Sequence, residues 1–512
     1  MEFSTVKNKL ILFLPYLVLL VLSPCFSNAQ KPTKVKLIKA NDLKYDKSLG
    51  EQVQRLIGNV VLKHDSTYLY CDSAYLYEQT NSFKGFGNVR IKASDTLNIY
   101  SDLLDYEGNT KVAELKDNVR LEDPRATLYT ENLWYDRQNR MAYYLTGGKI
   151  VDTANTLISE KGYYYTDLKE AYFKDDVVLT NPKYIMNTDT MRYNTESEIS
   201  TFLGPTTITS DENLIYCENG WYDTQNDKSF FKENAYIITK EQKLTGDSLY
   251  YDRKTDFGLA YSNVSIEDTV QNMIIHGNYG EFKKKAGFSF VTDSTMAVMI
   301  DKKDSLFLHA DTLWILFDAE QKVETMLGYH KAKFFRKDLQ GKCDSIAYKF
   351  LDSTIYLYDE PILWSQNNQL TADSVRITLK NNQIDTLAMI GSSFIISVDD
   401  TISKSTFNQV RGRSMVGHFV KNVLVEVNVY GNAQSVFYVR EDNGSLLGIN
   451  TTFSNDMNIY LSDNEVQVIS PLKNVDAHMY PESGFPEDER KLKGFKWHVE
   501  SRPIKKEDIF IW

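Results

Sequence analysis

A segment of about thirty residues recurs from near Gly58 to near Ile390, and this repetition limits the fold more than any single motif does. Each copy begins with a strand that resembles Gly-Asn-Val, as at Gly58-Asn59-Val60, Gly87-Asn88-Val89 and Asp117-Asn118-Val119. It then reaches a small residue, an acid, and apolar residues at alternate positions. The acid column runs Asp72, Asp102, Glu131, Glu160, Asp189, Glu218, Asp247, Asn278, Asp311, Asp344 and Asp373, in steps of 29 to 33 residues. Only Asn278 departs from a carboxylate. Chance does not hold a phase through eleven copies.

The other columns follow from this register. Three residues before the acid stand Leu69, Ile99, Leu128, Leu157, Met186, Ile215 and Leu244 in the first seven copies. Four residues after it stand Leu76, Tyr106, Tyr135, Tyr164, Tyr193, Tyr222 and Tyr251. The residue just before the acid is always small, as in Cys71, Ser101, Thr130 and Gly246. Side chains of a strand alternate faces with period two, so the two apolar sets fall on opposite faces of a straight strand. Both sets need burial. The inward face therefore switches between them, and a corner or bulge near the small-acid dipeptide performs the switch. Stripes of helical period are absent between these segments. The 33 tyrosines and only 11 prolines suit a pleated sheet. The pattern predicts strand, corner, strand and return in each copy, and each copy adds about 10 Å to a stack that touches mainly its neighbours.

Once the repeat is laid out, its residues resemble a known family. Ser101-Asp102-Leu103-Leu104-Asp105-Tyr106 and Gly246-Asp247-Ser248-Leu249-Tyr250-Tyr251-Asp252, each with its Gly-Asn-Val-like strand, look like the OstA-like repeat. The resemblance covers about residues 35–390 and, more weakly, 391–475. It implies an all-β, elongated, repetitive antiparallel β-jellyroll shaped like a taco shell, here of about eleven copies. It also implies an apolar interior open along one side that carries lipopolysaccharide by its lipid A chains, end-to-end β-augmentation with other OstA-like components, and no catalytic activity. On this reading Leu69, Ile99, Leu128, Leu157, Met186, Ile215 and Leu244 line the groove, with Tyr106, Tyr135, Tyr164, Tyr193, Tyr222 and Tyr251 second. The same columns would equally serve as closed core.

The flanking sequence adds an address and an end. Lys7 and Lys9, the apolar run Leu10 to Leu22 and Ser27-Asn28-Ala29 read as a signal peptide over 1–29, which places the chain in the periplasm. The chain is long for a compact bridge of this kind and lacks an obvious translocon barrel, which would need many strands of about ten residues after a repeat region that already fills most of the chain. The ending Phe510-Ile511-Trp512 resembles that of outer-membrane barrels, the one hint of an outer-membrane association. The repeat domain is assigned to 30–390. Residues 391–475, where Arg413 stands at the acid position, read as a variant cap, and 476–512 as an irregular tail.

Net charge is −11, and loss of residues 1–29, which hold Lys7, Lys9 and Glu2, makes it more negative by one. That argues against nucleic acid as a partner. One acid per copy beside apolar residues is not a calcium loop, and the seven histidines lack zinc spacing, so no metal or cofactor is expected. Cys71, Cys217 and Cys343 all fall in the small column, too far apart in the stack for a disulfide. A secreted β-solenoid that degrades polysaccharide would need a local cluster of acids and bases breaking the repeat, and none stands out. A cell-surface adhesin or scaffold is the other alternative.

Overall fold

The computed structural model describes residues 33–512 except 46–52, 302–303, 382, 400–404, 442 and 463–464. The signal-peptide prediction over 1–29 lies outside the described residues. The described chain is almost wholly antiparallel β-strand, with no α-helix, and it divides into two compact units, Met1–Thr146 and Gly147–Trp512.

In the first unit the strands pair in sequence order. Val53–His64, Thr67–Tyr77, Ser82–Lys92, Asn98–Glu107, Val112–Glu122 and Thr127–Asp136 each pair with the next. Each ladder skips register at mid-strand, and the skip lies where the sequence requires the inward face to change. Gly58 and Asn59 together oppose the single residue Asp72, since Ile57 pairs with Ser73 and Val60 with Cys71. Gly87-Asn88 and Asp117-Asn118 repeat the arrangement.

Both residues of each such pair are left-handed, with φ of 73° and 45° at Gly87 and Asn88 and 61° and 51° at Asp117 and Asn118. That conformation favours glycine and asparagine, which explains the Gly-Asn dipeptide. The extra residue of the bulge therefore lies in that dipeptide, and the acid is the single residue facing it. The acid column has a matching role. Asn88 Nδ2 donates to Asp72 at 2.8 Å, Asn118 to Asp102 at 2.6 Å, Asn234 to Glu218 at 2.8 Å and Asn263 to Asp247 at 3.0 Å. Each bulge is thus tied to the neighbouring strand by its own side chain.

In the second unit the same meander continues through Glu170–Asn181, Tyr184–Asn194, Ile199–Thr209, Asn213–Asp223, Lys228–Thr239, Gln242–Asp252, Phe257–Asp268 and Met273–Lys283. Beyond Lys283 each pass breaks at the corner into two short strands. Phe288–Thr292, Thr312–Phe317, Val323–Tyr329, Ser345–Lys349, Thr354–Tyr358 and Ser374–Lys380 form one limb. Met296–Met299, Leu306–His309, Ala332–Phe335, Gln340–Cys343, Ile362–Ser365 and Asn368–Thr371 form the other. Gln383–Val398 spans both limbs again. Over 391–475 the strands are long, up to the 18 residues of Val423–Arg440. Arg413 stands against the Gly431-Asn432 bulge, where an acid stands elsewhere.

The last residues are docked. Asp476–Tyr480 pairs with Leu446–Ser462, and short 3₁₀ turns follow. Three buried glutamines hold this segment against the outward face of one limb. Gln409 donates to Arg490 O at 2.8 Å and accepts from Leu492 N at 2.9 Å. Gln369 does the same with Lys496 O at 2.7 Å and His498 N at 2.6 Å. Gln340 accepts from Arg502 Nε at 2.9 Å. Each of the first two amides thus satisfies both a carbonyl and an N–H of the docked backbone. Phe485 and Leu492 complete an apolar cluster with Phe394, Ile396, Val436 and Tyr438.

Candidate functional site

Within each unit, the column three residues before the acid is every second member of a cross-strand ladder. In the first unit Leu37, Leu62, Leu69, Ile91, Ile99, Leu121 and Leu128 face one another in turn. In the second, Ile150, Leu157, Leu179, Met186, Ile208, Ile215, Ile237, Leu244, Ile266 and Ile275 do so. The sequence columns supplied alternate members only. The intervening ones, such as Ile208 and Ile237, lie on return strands whose register the acid does not mark.

Burial differs along these ladders. In the first unit Leu62, Leu69, Ile91 and Ile99 are no more than 1% exposed, while Leu128 is half-buried. In the second unit Leu157 and Met186 are buried. Ile150, Leu179, Ile208, Ile215, Ile237 and Leu244 are half-buried around the cluster of Phe173, Met191, Phe202 and Phe231.

The tyrosine column divides the same way. Tyr106 and Tyr135 are buried, whereas Tyr164, Tyr193, Tyr222 and Tyr251 are half-buried. The tyrosines of the second unit alternate across the sheet with small residues, Tyr193 with Ala171 and Ser200, Tyr222 with Ser200 and Ser229. Each of these two rings therefore has a small residue on both sides in its ladder. Tyr222 donates to Asp227 at 2.9 Å and Tyr251 to Asp256 at 2.6 Å, both in the turn that follows the strand. Burial, and then these carboxylates, push both phenols well above their ordinary range.

In the first unit the hairpin turns from the two ends of the strands are clasped together. His64, at the end of Val53–His64, contacts Tyr106 OH through Nδ1 at 2.6 Å. Arg137, from a turn at the opposite end, donates to Tyr106 OH at 2.8 Å and to His64 O at 3.2 Å. Lys111, also from the opposite end, pairs with Asp65 at 2.8 Å. Hydrogen bonds from Lys111 and Thr33 hold Asp65 down to about 2. Burial lowers the His64 pKa. Thr33 O accepts from Asn81 Nδ2 at 3.0 Å and lies 3.0 Å from His64 Nε2, so the chain at 33 bridges both ends. The clasp was not legible in the repeat, because His64, Asp65, Lys111 and Arg137 stand once each and outside its columns, and only Tyr106 lies in one. A recess of about 320 Å³ nearby is walled by Lys84, Asp105, Glu107 and Glu114 with Tyr77 and Trp134, which suits polar contents and not a hydrocarbon.

Cys71, Cys217 and Cys343 are buried and unpaired. Burial pushes their thiols up, Cys71 to about 11 and the other two to about 12. Cys343 Sγ donates to Ser345 O at 3.2 Å, as Ser101 Oγ does to Leu103 O at 2.8 Å and Thr130 Oγ1 to Asn132 O at 3.2 Å. Cysteine, serine and threonine thus share one task in the small column, a bond to the carbonyl two residues ahead at the corner. Among the described residues no group of three or more His, Cys, Asp or Glu side chains is placed to hold a metal. No described helix is long and apolar enough to cross a membrane.

A family model described as OstA-like protein matches residues 32–189 and 185–247. Among solved structures, the chain is similar to one titled as the crystal structure of LptH, the LptA homologous periplasmic component of the conserved lipopolysaccharide transport device from Pseudomonas aeruginosa. That similarity has 15% identity and a TM-score of 0.19, over 25% of this chain and 85% of that one. No curated protein matches.

Proposed function

We propose, on the match of residues 32–247 to the OstA-like protein family model, that the chain is a periplasmic carrier that holds lipopolysaccharide by its acyl chains. The observation that carries the reading is the row of aliphatic side chains from Ile150 to Leu244, half-buried at every member except the buried Leu157 and Met186, with the half-buried Tyr164, Tyr193 and Tyr222 packed on the same cluster. A hydrocarbon tail laid along this row gains ~0.8 kcal/mol for each methylene it buries. One interstrand step is about 4.8 Å, and successive steps offer the same kind of residue. Neighbouring positions are therefore close in energy, and a lipid moves along the row without falling into a deep trap. The half-buried tyrosines present an apolar ring beside a tethered hydroxyl, which suits the boundary between acyl chains and sugar.

The partners follow from the strand ends. Glu465–Leu472 pairs with Leu446–Ser462 on one side, and an edge of this kind accepts a further strand from an OstA-like partner by β-augmentation.

The test is a photo-crosslinker placed in turn at Ile208, Ile215 and Ile237, with Ile91 and Ile99 as sealed controls and Thr207 as a control pointing the other way. Capture of lipopolysaccharide at the first three positions and not at the controls supports the carrier. Equal capture at Thr207, or none at the three test positions, rejects it.

A further inference from the structure

The outward face of the first unit carries a row that the carrier reading does not use. Tyr70, Arg90, Tyr100, Arg120 and Tyr129 face one another on successive strands. Their side chains lie opposite the buried ladder of Leu69, Ile91 and Ile99, so the row points outward. Arg90 lies over the rings of Tyr70 and Tyr100, at 5.8 and 5.9 Å, and Arg120 over Tyr100 at 4.7 Å. Each guanidinium is also held at its edge, Arg90 by Asn98 Oδ1 at 3.0 Å and Arg120 by Glu122 at 3.0 Å. The rings fix the planes of the two cations and leave their remaining N–H donors facing solvent. Stacking of this kind suits arginine and not lysine.

A second outward row runs beside the first. It holds Lys36, Lys63, Tyr68, Lys92, Asn98 and Glu122, and Lys39 begins the first row beside Val61. Lys63 lies 4.7 Å over the Tyr68 ring. The two rows thus carry six cations against Glu122, with Asp95 pairing Lys92 from the turn at 3.2 Å. The whole chain has net charge −11, so this is a local reversal of sign.

We propose that this face binds an anionic polysaccharide, with carboxylate or phosphate groups seated on Arg90 and Arg120. Fixed cations recur every second strand, about 10 Å apart, a length close to that of a disaccharide unit in an extended chain. A polyuronate, with a carboxylate on each sugar, therefore offers at least one charged group to each prepared cation once per repeat. The hydroxyls of Tyr70, Tyr100 and Tyr129 and the amide of Asn98 supply the neutral hydrogen bonds that sugar hydroxyls need. The rows lack the Leu, Phe and Trp wedges by which a surface enters a bilayer, which favours the glycan over a membrane.

The test uses the full chain and polygalacturonate, with fully methyl-esterified polygalacturonan as the uncharged control, phosphatidylglycerol vesicles as the membrane probe and duplex DNA as the nucleic-acid probe. Binding to polygalacturonate should be lost in the ester. It should weaken at least tenfold in Arg90→Glu/Arg120→Glu and several-fold in Tyr100→Leu, where the guanidiniums lose their support. Arg90→Lys/Arg120→Lys keeps the charge and should also weaken it several-fold, which guards against misfolding of the charge reversal. Crosslinking of lipid at Ile215 should be unchanged in all these variants, so a failure here is distinguishable from a failure of the carrier reading. Equal binding of the ester, unchanged binding in Arg90→Glu/Arg120→Glu, or tighter binding to the vesicles or the DNA would overturn the proposal.

Discussion

Ile99 and Ile208 are both members of the aliphatic ladders and should respond differently to the same truncation. Ile99 lies between Ile91 and Leu121 and is 0% exposed. Ile208 lies between Met186 and Ile215 and is half-buried. Changing isoleucine to alanine removes three carbons, about 2.4 kcal/mol of transfer free energy where they are fully buried. At Ile99 the surrounding side chains leave a sealed void that adds to this, for a total of ~3–4 kcal/mol. At Ile208 about half the transfer is lost and no sealed void forms, for ~1 kcal/mol. The difference of ~2–3 kcal/mol is roughly a 60-fold difference in local opening. Native-state hydrogen exchange read by mass spectrometry resolves the strands around each position, which a single melting temperature of a two-unit chain does not. Added lipopolysaccharide should raise protection around Ile208 in the unaltered chain and less so in Ile208→Ala, and should leave the Ile99 strand unchanged. Equal losses at the two sites would refute the division into closed and open stretches. Lipid protection confined to the Ile99 strand would do so as well.

Other perturbations test the parts around this ladder. Gly87→Ala places a Cβ 2.6 Å from an Asp72 carboxylate oxygen at a φ of 73°, and should cost about 1–3 kcal/mol of local stability by hydrogen exchange. Gln369→Ala leaves Lys496 O and His498 N without their partner and should cost about 1–3 kcal/mol, releasing residues near 496 to proteolysis while the strands stay protected. Cys343→Ser should be close to neutral because the hydroxyl keeps the bond to Ser345 O, whereas Cys343→Val should cost ~1 kcal/mol. The native thiol should resist alkylation at pH 8, since burial holds it near 12. Burial lowers the folded-state pKa of His64 below 6.5, so the unfolded chain takes up the proton first. The first unit should therefore lose stability as pH falls from 7.5 through about 6.5. His64→Gln should flatten that slope, and the Asp65 contribution should fade only at lower pH, between its usual 3.8 and about 2.

The architecture was legible because the repeat forces it. Leu69 and Ala74 must both be inward, and one strand can do that only by changing face between them. The sequence placed the corner at the small-acid dipeptide, and the structure puts the extra residue on the facing strand at Gly58-Asn59. The signal for this was present in the Gly-Asn pair, since left-handed backbone favours glycine and asparagine, and it was lost in later copies where Asp175-Asp176, His330-Lys331 and Asp359-Glu360 adopt the same conformation. The role of the small column was also within reach. Cys71, Ser101 and Thr130 share a weak or strong donor as well as a small volume, and the donor bridges the corner at Ser101 and Thr130.

What the columns could not separate is a closed stretch of ladder from an open one. Leu69 and Leu244 have the same residue type and the same place in their copies, yet one is 1% exposed and the other half-buried. A periodic pattern fixes which way each side chain points within its own strand and its neighbours. It does not fix how closely the two limbs of a folded sheet approach, because that depends on residues at the far ends of the strands. In the first unit those residues are His64, Asp65, Lys111 and Arg137, each present once. Their contacts draw opposite turns together and bring the Tyr106 hydroxyl into the clasp. The repeat therefore supplies an apolar track of even composition, and in the first unit single polar residues outside its register hold the opposite turns together. Removing Arg137 should open the first unit before any of its aliphatic residues is touched. A buried hydrogen-bonded group that loses its partner costs about 1–3 kcal/mol, and that cost falls on His64 O and in part on Tyr106 OH, which keeps only its contact with His64. In Arg137→Ala, exchange at the Tyr106 strand should rise while exchange at the Ile237 strand stays as it was. Unchanged protection at Tyr106 would show that the aliphatic packing, and not the clasp, holds the first unit shut.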